Sequence, residues 1–109
     1  MKVVVFEDNL MWSSRLAKSI DSLGHEPIII SKADIDIPAA EVAIVNLGSP
    51  TFSAAELIPT LKKQGTHVIG HAGHKETPLL EFGRDSGCDQ IVSNSSLTFR
   101  LADILKNAR

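Results

Sequence analysis

The stretch that decides the fold is residues 2–9, Lys-Val-Val-Val-Phe-Glu-Asp-Asn, a short apolar run that ends abruptly in two acids and an amide. The run is rich in β-branched residues and does not alternate between polar and apolar positions, which is typical of a strand buried on both faces of a parallel sheet. After it, apolar residues recur at spacings of four, four and three: Trp12, Leu16, Ile20 and Leu23. This spacing predicts the buried face of a helix that Gly24 closes.

The alternation of strand and helix continues to the end of the chain. Four further short apolar runs predict buried strands at residues 27–30, 42–47, 67–71 and 90–93. Apolar residues at helical spacing follow the last three of these strands. The corresponding helices are predicted to begin at capping residues, which are Ser53 in a Ser53-Ala-Ala-Glu56 capping box, Thr77 before Pro78, and Ser95 or Ser96.

Two stretches are predicted to depart from regular helix. Residues 31–41, between the second and third strands, are too rich in Asp, Ile and Pro for a long helix, so the second helix of the series should be short or missing. Pro59 argues against a regular helix after Ser53, because proline removes one backbone donor and crowds the preceding turn.

Strand and helix units that alternate in this way predict an α/β fold with a parallel sheet covered on both faces. Five strands suit the flavodoxin-like three-layer sandwich, in which the strand order is 2-1-3-4-5. The chain of 109 residues is long enough for one hydrophobic core but not for two. We therefore expect a single domain that spans residues 1–109.

Composition narrows the functional classes. The 43% of hydrophobic residues and the absence of repeats indicate a soluble globular protein. A net charge of −2 and scattered Lys and Arg give no general attraction for nucleic acid. The apolar runs are too short to cross a membrane, and the N-terminus leads into a strand rather than a signal peptide, so we expect a cytoplasmic protein. Cys88 is the only cysteine, which excludes an internal disulfide.

Polar side chains stand at the predicted ends of four strands: Glu7, Asp8, Asn46, His71 and Asn94. In the 2-1-3-4-5 order, the carboxyl ends of the first, third and fourth strands lie side by side and form the place where such folds bind ligands. We therefore expect these five side chains to converge in one pocket.

The ordered set of motifs resembles the receiver domain of response regulators, the CheY-like family. An acidic pair follows the first strand, Asn46-Leu-Gly-Ser-Pro50 stands where receivers carry Asp-Leu-x-Met-Pro, and Gly87-Cys-Asp89 stands where they carry Gly-Ala-Asp. The resemblance covers nearly the whole chain. It implies the CheY-like fold and a role in two-component signal transduction.

The sequence departs from the receiver pattern at three functional positions. Receivers form an acyl phosphate on an aspartate, with a magnesium ion on the acidic pair and a Ser or Thr and a Lys that contact the phosphoryl group. Asn46 stands at the aspartate position, His71 at the Ser/Thr position and Asn94 at the Lys position. An amide has no anionic oxygen that could attack phosphorus. The resemblance thus implies a pseudo-receiver that is not an enzyme and that signals through phosphorylation-independent protein–protein interaction.

Alternatives remain open for the same residues. Glu7 and Asp8 could hold Mg²⁺, although two carboxylates and an amide should bind it only weakly, so no resident cofactor is expected. Asp8 or Asn9 could instead cap the first helix. His71 and His74 could bind a transition metal together with Asp8. A small metal-binding protein or an enzyme of the same fold that uses Glu7, Asp8, His71 and His74 is therefore an alternative function. Asp8 could also be a phosphoacceptor, but no acidic pair would then stand behind it.

The expected partners are other signalling proteins. The resemblance points to the surface of the last helix and its neighbouring strands as the part that partners contact. The chain is expected to be a monomer or a homodimer formed through that last helix. Trp12 lies on the same helical face as Leu16 and Ile20, which favours packing in the core over an exposed binding patch.

Overall fold

The computed structural model describes residues 1–33 and 36–108. In chain order its elements are β1 (Lys2–Phe6), α1 (Leu10–Ser22), β2 (Glu26–Ile30), β3 (Val42–Asn46), α2 (Ala54–Lys63), β4 (His67–Ala72), α3 (Thr77–Asp85), β5 (Gln90–Ser93), α4 (Asn94–Phe99) and α5 (Leu101–Lys106). Within the described residues, no helix is both long and apolar enough to span a bilayer.

The strands form one parallel sheet in the order β2-β1-β3-β4-β5, which confirms the predicted flavodoxin-like topology. The register pairs Phe6 with Val45 and Asn46 with His71. The carboxyl ends of β1, β3 and β4 therefore lie at one edge of the sheet, with the polar residues that follow them.

Apolar side chains pack on both faces of the sheet, as expected for buried parallel strands. On one face, Val4 and Phe6 of β1 belong to the cluster that contains Ile58 and Leu61 of α2. On the other face, Val3 and Val5 belong to a cluster with residues of α1, α4 and α5, among them Leu16, Ile20, Leu97, Ile104 and Leu105. Successive residues of β1 thus serve two opposite layers, which explains the lack of alternation in its sequence.

The first helix follows the prediction closely. α1 ends at Ser22, and Gly24, two residues later, has a φ angle of 87°, a conformation that glycine adopts without steric cost. Leu23 lies just beyond the helix and is 41% exposed, so it is not part of the buried face. No helix lies between β2 and β3 in the described residues, in agreement with the prediction of a short or missing second helix.

The prediction that Pro59 prevents a regular helix is wrong. Pro59 lies inside α2, which runs without interruption from Ala54 to Lys63. Ile58 and Leu61, on either side of the proline, are fully buried. Burial of two such side chains stabilises the helix by about 1.5–3 kcal/mol each, which offsets the cost of about 3 kcal/mol for an interior proline.

Three predicted helix caps differ from the structure, although α2 does begin after Ser53 as predicted. Ser53 precedes α2, but its side chain makes no capping hydrogen bond, so the predicted capping box does not form. Thr77 is already inside α3, which Glu76 precedes. The cap of α4 is Ser93 rather than Ser95 or Ser96, since the Ser96 N–H donates to Ser93 Oγ at 3.1 Å.

The predicted last helix is two short helices. α4 ends at Phe99 and α5 begins at Leu101, with Arg100 in a non-helical conformation between them (φ −124°, ψ 26°). Leu97 and Leu101, on either side of the break, are both buried. The break therefore leaves both segments packed on the same apolar layer of the sheet.

Candidate functional site

An open polar pocket of about 370 Å³ lies at the carboxyl ends of the strands. The residues that line it are Glu7, Asp8, Asn9, Trp12, Asn46, Pro50, His71 and Asn94. The structure thus brings together all five side chains that we expected to converge from their positions at the strand ends: Glu7, Asp8, Asn46, His71 and Asn94. His74 is not among the lining residues.

Glu7 is held by hydrogen bonds from three neighbours. Its carboxylate accepts from the backbone N–H groups of Asp8 and Asn9 at 3.0 and 3.2 Å. The side-chain amide of Asn46 lies with its Nδ2 3.1 and 3.0 Å from the two carboxylate oxygens. Burial raises the pKa of Glu7, and the hydrogen bond from Asn46 opposes that rise only in part.

The orientation of the Asn46 amide is fixed from both ends. Its Oδ1 accepts from the Gly48 N–H at 3.0 Å, and a backbone N–H can only donate. The NH₂ end must therefore face Glu7, whose two carboxylate oxygens accept from it. Asn46 is therefore a hydrogen-bond donor to the first carboxylate of the acidic pair.

Asp8 is bonded to hydroxyl groups. Its Oδ1 accepts from Ser49 Oγ at 3.1 Å and its Oδ2 from Thr51 Oγ1 at 3.3 Å. Desolvation raises the pKa of Asp8, but hydrogen bonds from its own backbone N–H, with the Glu7 side chain, and from Ser49 and Thr51 outweigh it, so the pKa is lowered overall. The helix cap is Asn9, whose Oδ1 accepts from the Trp12 N–H at 3.1 Å. This settles the alternative between Asp8 and Asn9 in favour of Asn9.

His71 is a buried imidazole, with only 2% of its surface exposed. Its Nδ1 lies 2.7 Å from Asn94 Oδ1, and its ring centroid lies 5.0 Å from that of Trp12 with an interplanar angle of 34°. Burial lowers the pKa of His71, and the Asn94 hydrogen bond opposes this in part. The ring is therefore neutral near pH 7. Nε2 is buried without a hydrogen-bond partner in the described part of the chain.

Trp12 has a second role that its spacing did not reveal. Trp12 packs against the apolar cluster that contains Leu16 and Ile20, as predicted from its place on the buried face of α1. It also lines the polar pocket and contacts the His71 ring. Helical periodicity identifies which face of α1 is buried, but it cannot identify a partner from a distant strand. No pattern in the sequence links Trp12 to His71.

We predict that Trp12 fluorescence reports the protonation of His71. Trp12 is the only tryptophan of the chain, and a protonated imidazole in contact with an indole ring quenches its emission. Emission should fall on acidification, with a midpoint below about 6.5, the ordinary histidine value, because burial lowers the pKa of His71.

A pH titration of His71→Gln checks this prediction. The variant should lose the transition, whereas His74→Gln, at an exposed site outside the pocket, should retain it. A transition that persists unchanged in His71→Gln would contradict the assignment.

The structure does not support the metal-binding alternative that used both histidines. Nδ1 of His71 is engaged with Asn94, and His74 is exposed on the turn that follows β4. Within residues 1–33 and 36–108, no three side chains of the His, Cys, Asp or Glu type are grouped so that they could hold a metal ion.

Solved structures of receiver domains match this chain over almost its full length, whereas no family model and no curated protein sequence matches it. The receiver domain of NtrX from Brucella abortus has a TM-score of 0.82 at 19% identity, with 99% of this chain and 97% of that chain covered. The receiver domain of the Francisella response regulator 1452 has a TM-score of 0.74 at 18% identity, covering 99% and 98%. The beryllofluoride-activated NtrC4 receiver domain dimer has a TM-score of 0.77 at 17% identity, covering 98% and 94%. Identities this low establish the CheY-like receiver fold and nothing finer.

Proposed function

We propose that this chain is a pseudo-receiver, a signalling domain that binds partner proteins without being phosphorylated. The observation that carries the proposal is the Asn46 amide at the end of β3, where receivers carry the phosphoacceptor aspartate. Its NH₂ group faces both oxygens of Glu7, and its Oδ1 is bonded to the Gly48 N–H. A neutral amide held in this way offers no nucleophile for phosphorus.

The surrounding charges support the same function. Receivers balance their carboxylates with Mg²⁺ and a lysine, whereas here the lysine position is Asn94, which is bonded to the neutral His71. Loss of the aspartate and the lysine together is electrostatically consistent, since removal of one alone would leave a charge without its partner in a crowded site. The remaining carboxylates are bonded to amides and hydroxyls: Glu7 to Asn46 and Asp8 to Ser49 and Thr51.

Treatment with acetyl phosphate and Mg²⁺ is expected to leave the intact mass of the protein unchanged. Asn46 cannot form an acyl phosphate, and Asp8 has no second acidic pair that would hold a metal behind it. Intact-mass spectrometry measures this directly, with a conventional receiver treated in parallel as a positive control. A gain of one phosphoryl group that maps to any carboxylate of the pocket would refute the proposal.

We also expect Mg²⁺ to bind no more tightly than about millimolar, the weak end of the range for hard-cation sites. Both oxygens of Glu7 already accept from Asn46, so a metal would have to displace those hydrogen bonds. Isothermal titration calorimetry tests this, with Zn²⁺ as a second titrant. Tight Zn²⁺ binding that disappears in His71→Ala would instead favour a metal-binding function.

The proposal includes no catalytic activity and no resident cofactor. Other signalling proteins are the proposed partners, because the receiver fold together with a pocket that cannot be phosphorylated leaves binding as the means of action. The chain would act as a monomer or as a homodimer through its last helical segments, α4 and α5. A dimer is the form of one structural neighbour, the beryllofluoride-activated NtrC4 receiver domain. The proposed location is the cytoplasm, with no direct contact to nucleic acid or membrane.

A further inference from the structure

A second cavity lies between α1 and α4 and is lined by residues of both helices. It is a groove of about 290 Å³, lined by Trp12, Arg15, Leu16, Ser19, Thr98 and Phe99. Phe99, on the rim of this α1–α4 groove, is 84% exposed, the largest exposed fraction of any large hydrophobic side chain in the described residues. The break at Arg100 ends α4 directly after Phe99.

One further exposed apolar residue of α1 lies next to a residue that lines the groove. Met11 is 75% exposed, and it lies four residues before Arg15, so the two side chains are neighbours on the helix surface. An exposed aromatic ring and an exposed methionine beside a concave groove are typical of a surface that another protein covers.

Three cations line the groove or are adjacent in sequence to residues that line it, although the whole chain has a net charge of −2. Arg15 lines the groove, Lys18 follows it by one helical turn, and Arg100 follows Phe99. None of the three forms a salt bridge within the described residues. A partner with acidic side chains would supply the missing opposite charge.

We propose that the α1–α4 groove binds an acidic amphipathic segment of a partner protein. An aromatic or long aliphatic side chain of that segment would fill the groove beside Phe99, and its acidic side chains would face Arg15 and Arg100. The inference rests on the proposed function, since it names the surface and the partner chemistry through which the domain acts.

A second copy of this chain fits the groove less well. A two-fold contact through the groove would place the same patch of both copies face to face, so the positive charges of Arg15 and Arg100 would lie opposite a second copy of the same positive patch. Like charges brought together at an interface cost free energy and select against the wrong partner. An acidic segment from a different protein avoids this repulsion.

The groove shares one wall with the polar pocket, because Trp12 lines both. Trp12 is the only tryptophan and the chain has no tyrosine, so its emission directly reports what fills the groove. A peptide without tryptophan can then be titrated with no label on the protein.

The experiment is a selection from a displayed library of random 16-residue peptides against the full chain, followed by titration of the enriched peptides with Trp12 emission as the readout. We expect enriched peptides to combine an aromatic or long aliphatic residue with Asp and Glu. Phe99→Ala and Arg15→Glu should each weaken binding about tenfold, the size typical of a central interface residue. Both sites are exposed, so the variants should fold normally, which circular dichroism verifies.

Matched controls are Phe82→Ala and Lys75→Glu, an aromatic and a cation outside the groove. Both should leave the affinities within about twofold, as for surface changes outside an interface. Enriched peptides that are basic, or that bind Phe99→Ala and Arg15→Glu as tightly as wild type, would overturn the inference. So would a dimer that sedimentation detects in wild type and not in Phe99→Ala. If acetyl phosphate phosphorylates the protein, the pseudo-receiver function is refuted. The peptide experiment still decides separately whether the α1–α4 groove binds an acidic segment.

Discussion

Replacement of Asn46 by aspartate is expected to destabilise the protein by about 2–4 kcal/mol near pH 7.5, although the two side chains have nearly the same shape. The amide nitrogen lies 3.1 and 3.0 Å from the two oxygens of Glu7, so the change places a second carboxylate oxygen against the first. Two favourable hydrogen bonds are replaced by repulsion between like charges. Because burial already raises the pKa of Glu7, this carboxylate tolerates a second charge poorly.

The cost should depend on pH in a defined direction. Repulsion raises the pKa of the carboxylate pair in the folded state above its value in the unfolded state, so the folded protein binds more protons. The destabilisation is therefore full above the raised pKa and diminishes as the pH falls through it. Mg²⁺ should also restore stability at pH 7.5, because three carboxylates that line one pocket form a better site for a hard cation than two.

Urea unfolding at pH 7.5 and 5.5, with and without Mg²⁺, measures both effects. Asn46→Ala is the matched control, since it removes the same hydrogen bonds from Glu7 without adding charge. Its loss of stability should depend much less on pH, and Mg²⁺ should not restore it. Equal stability of Asn46→Asp at the two pH values, with no effect of Mg²⁺, would show that Glu7 and residue 46 do not interact as the structure indicates.

The sequence was sufficient for the topology because the strands are short, apolar and separated by clear polar breaks. It also predicted which side chains meet in the pocket, since the carboxyl ends of parallel strands must share an edge once the strand order is known. Asn46 and His71 are 25 positions apart in the chain, yet the register of β3 and β4 pairs them directly.

Features that depend on tertiary packing could not be predicted in this way. Local propensity at Pro59 argued against a helix, but burial of Ile58 and Leu61 outweighs that propensity. The break at Arg100 and the exposure of Phe99 follow from how α4 and α5 pack on the sheet. The contact between Trp12 and His71 joins residues of α1 and β4 whose side-chain directions are set only by the folded chain.

The largest change in chemistry is expected from restoring all three receiver positions at once, with Asn46→Asp, His71→Thr and Asn94→Lys. The first change supplies a nucleophilic carboxylate, and the third supplies a cation that balances its charge. The second change removes the imidazole that is hydrogen-bonded to Asn94 and puts a hydroxyl group in its place at the end of β4. Acetyl phosphate with Mg²⁺ should then add one phosphoryl group to the triple variant and none to wild type.

The matched control for this variant keeps two of the changes and replaces the first with Asn46→Ala, which removes the nucleophile alone. It should gain no mass, and intact-mass spectrometry distinguishes the three proteins in one experiment.

The same proteins test whether partner binding depends on a phosphorylation switch. A phosphoryl group adds negative charge that can bias a two-state equilibrium, and under the pseudo-receiver hypothesis wild type does not accept that group. Wild type should therefore bind its partner segment at full strength without treatment, and a phosphoryl mimic such as beryllofluoride should alter the affinity of the triple variant only. If wild type binds only after phosphorylating treatment, the pseudo-receiver hypothesis is wrong, because its pocket must then be accepting the charge that Asn46 should exclude.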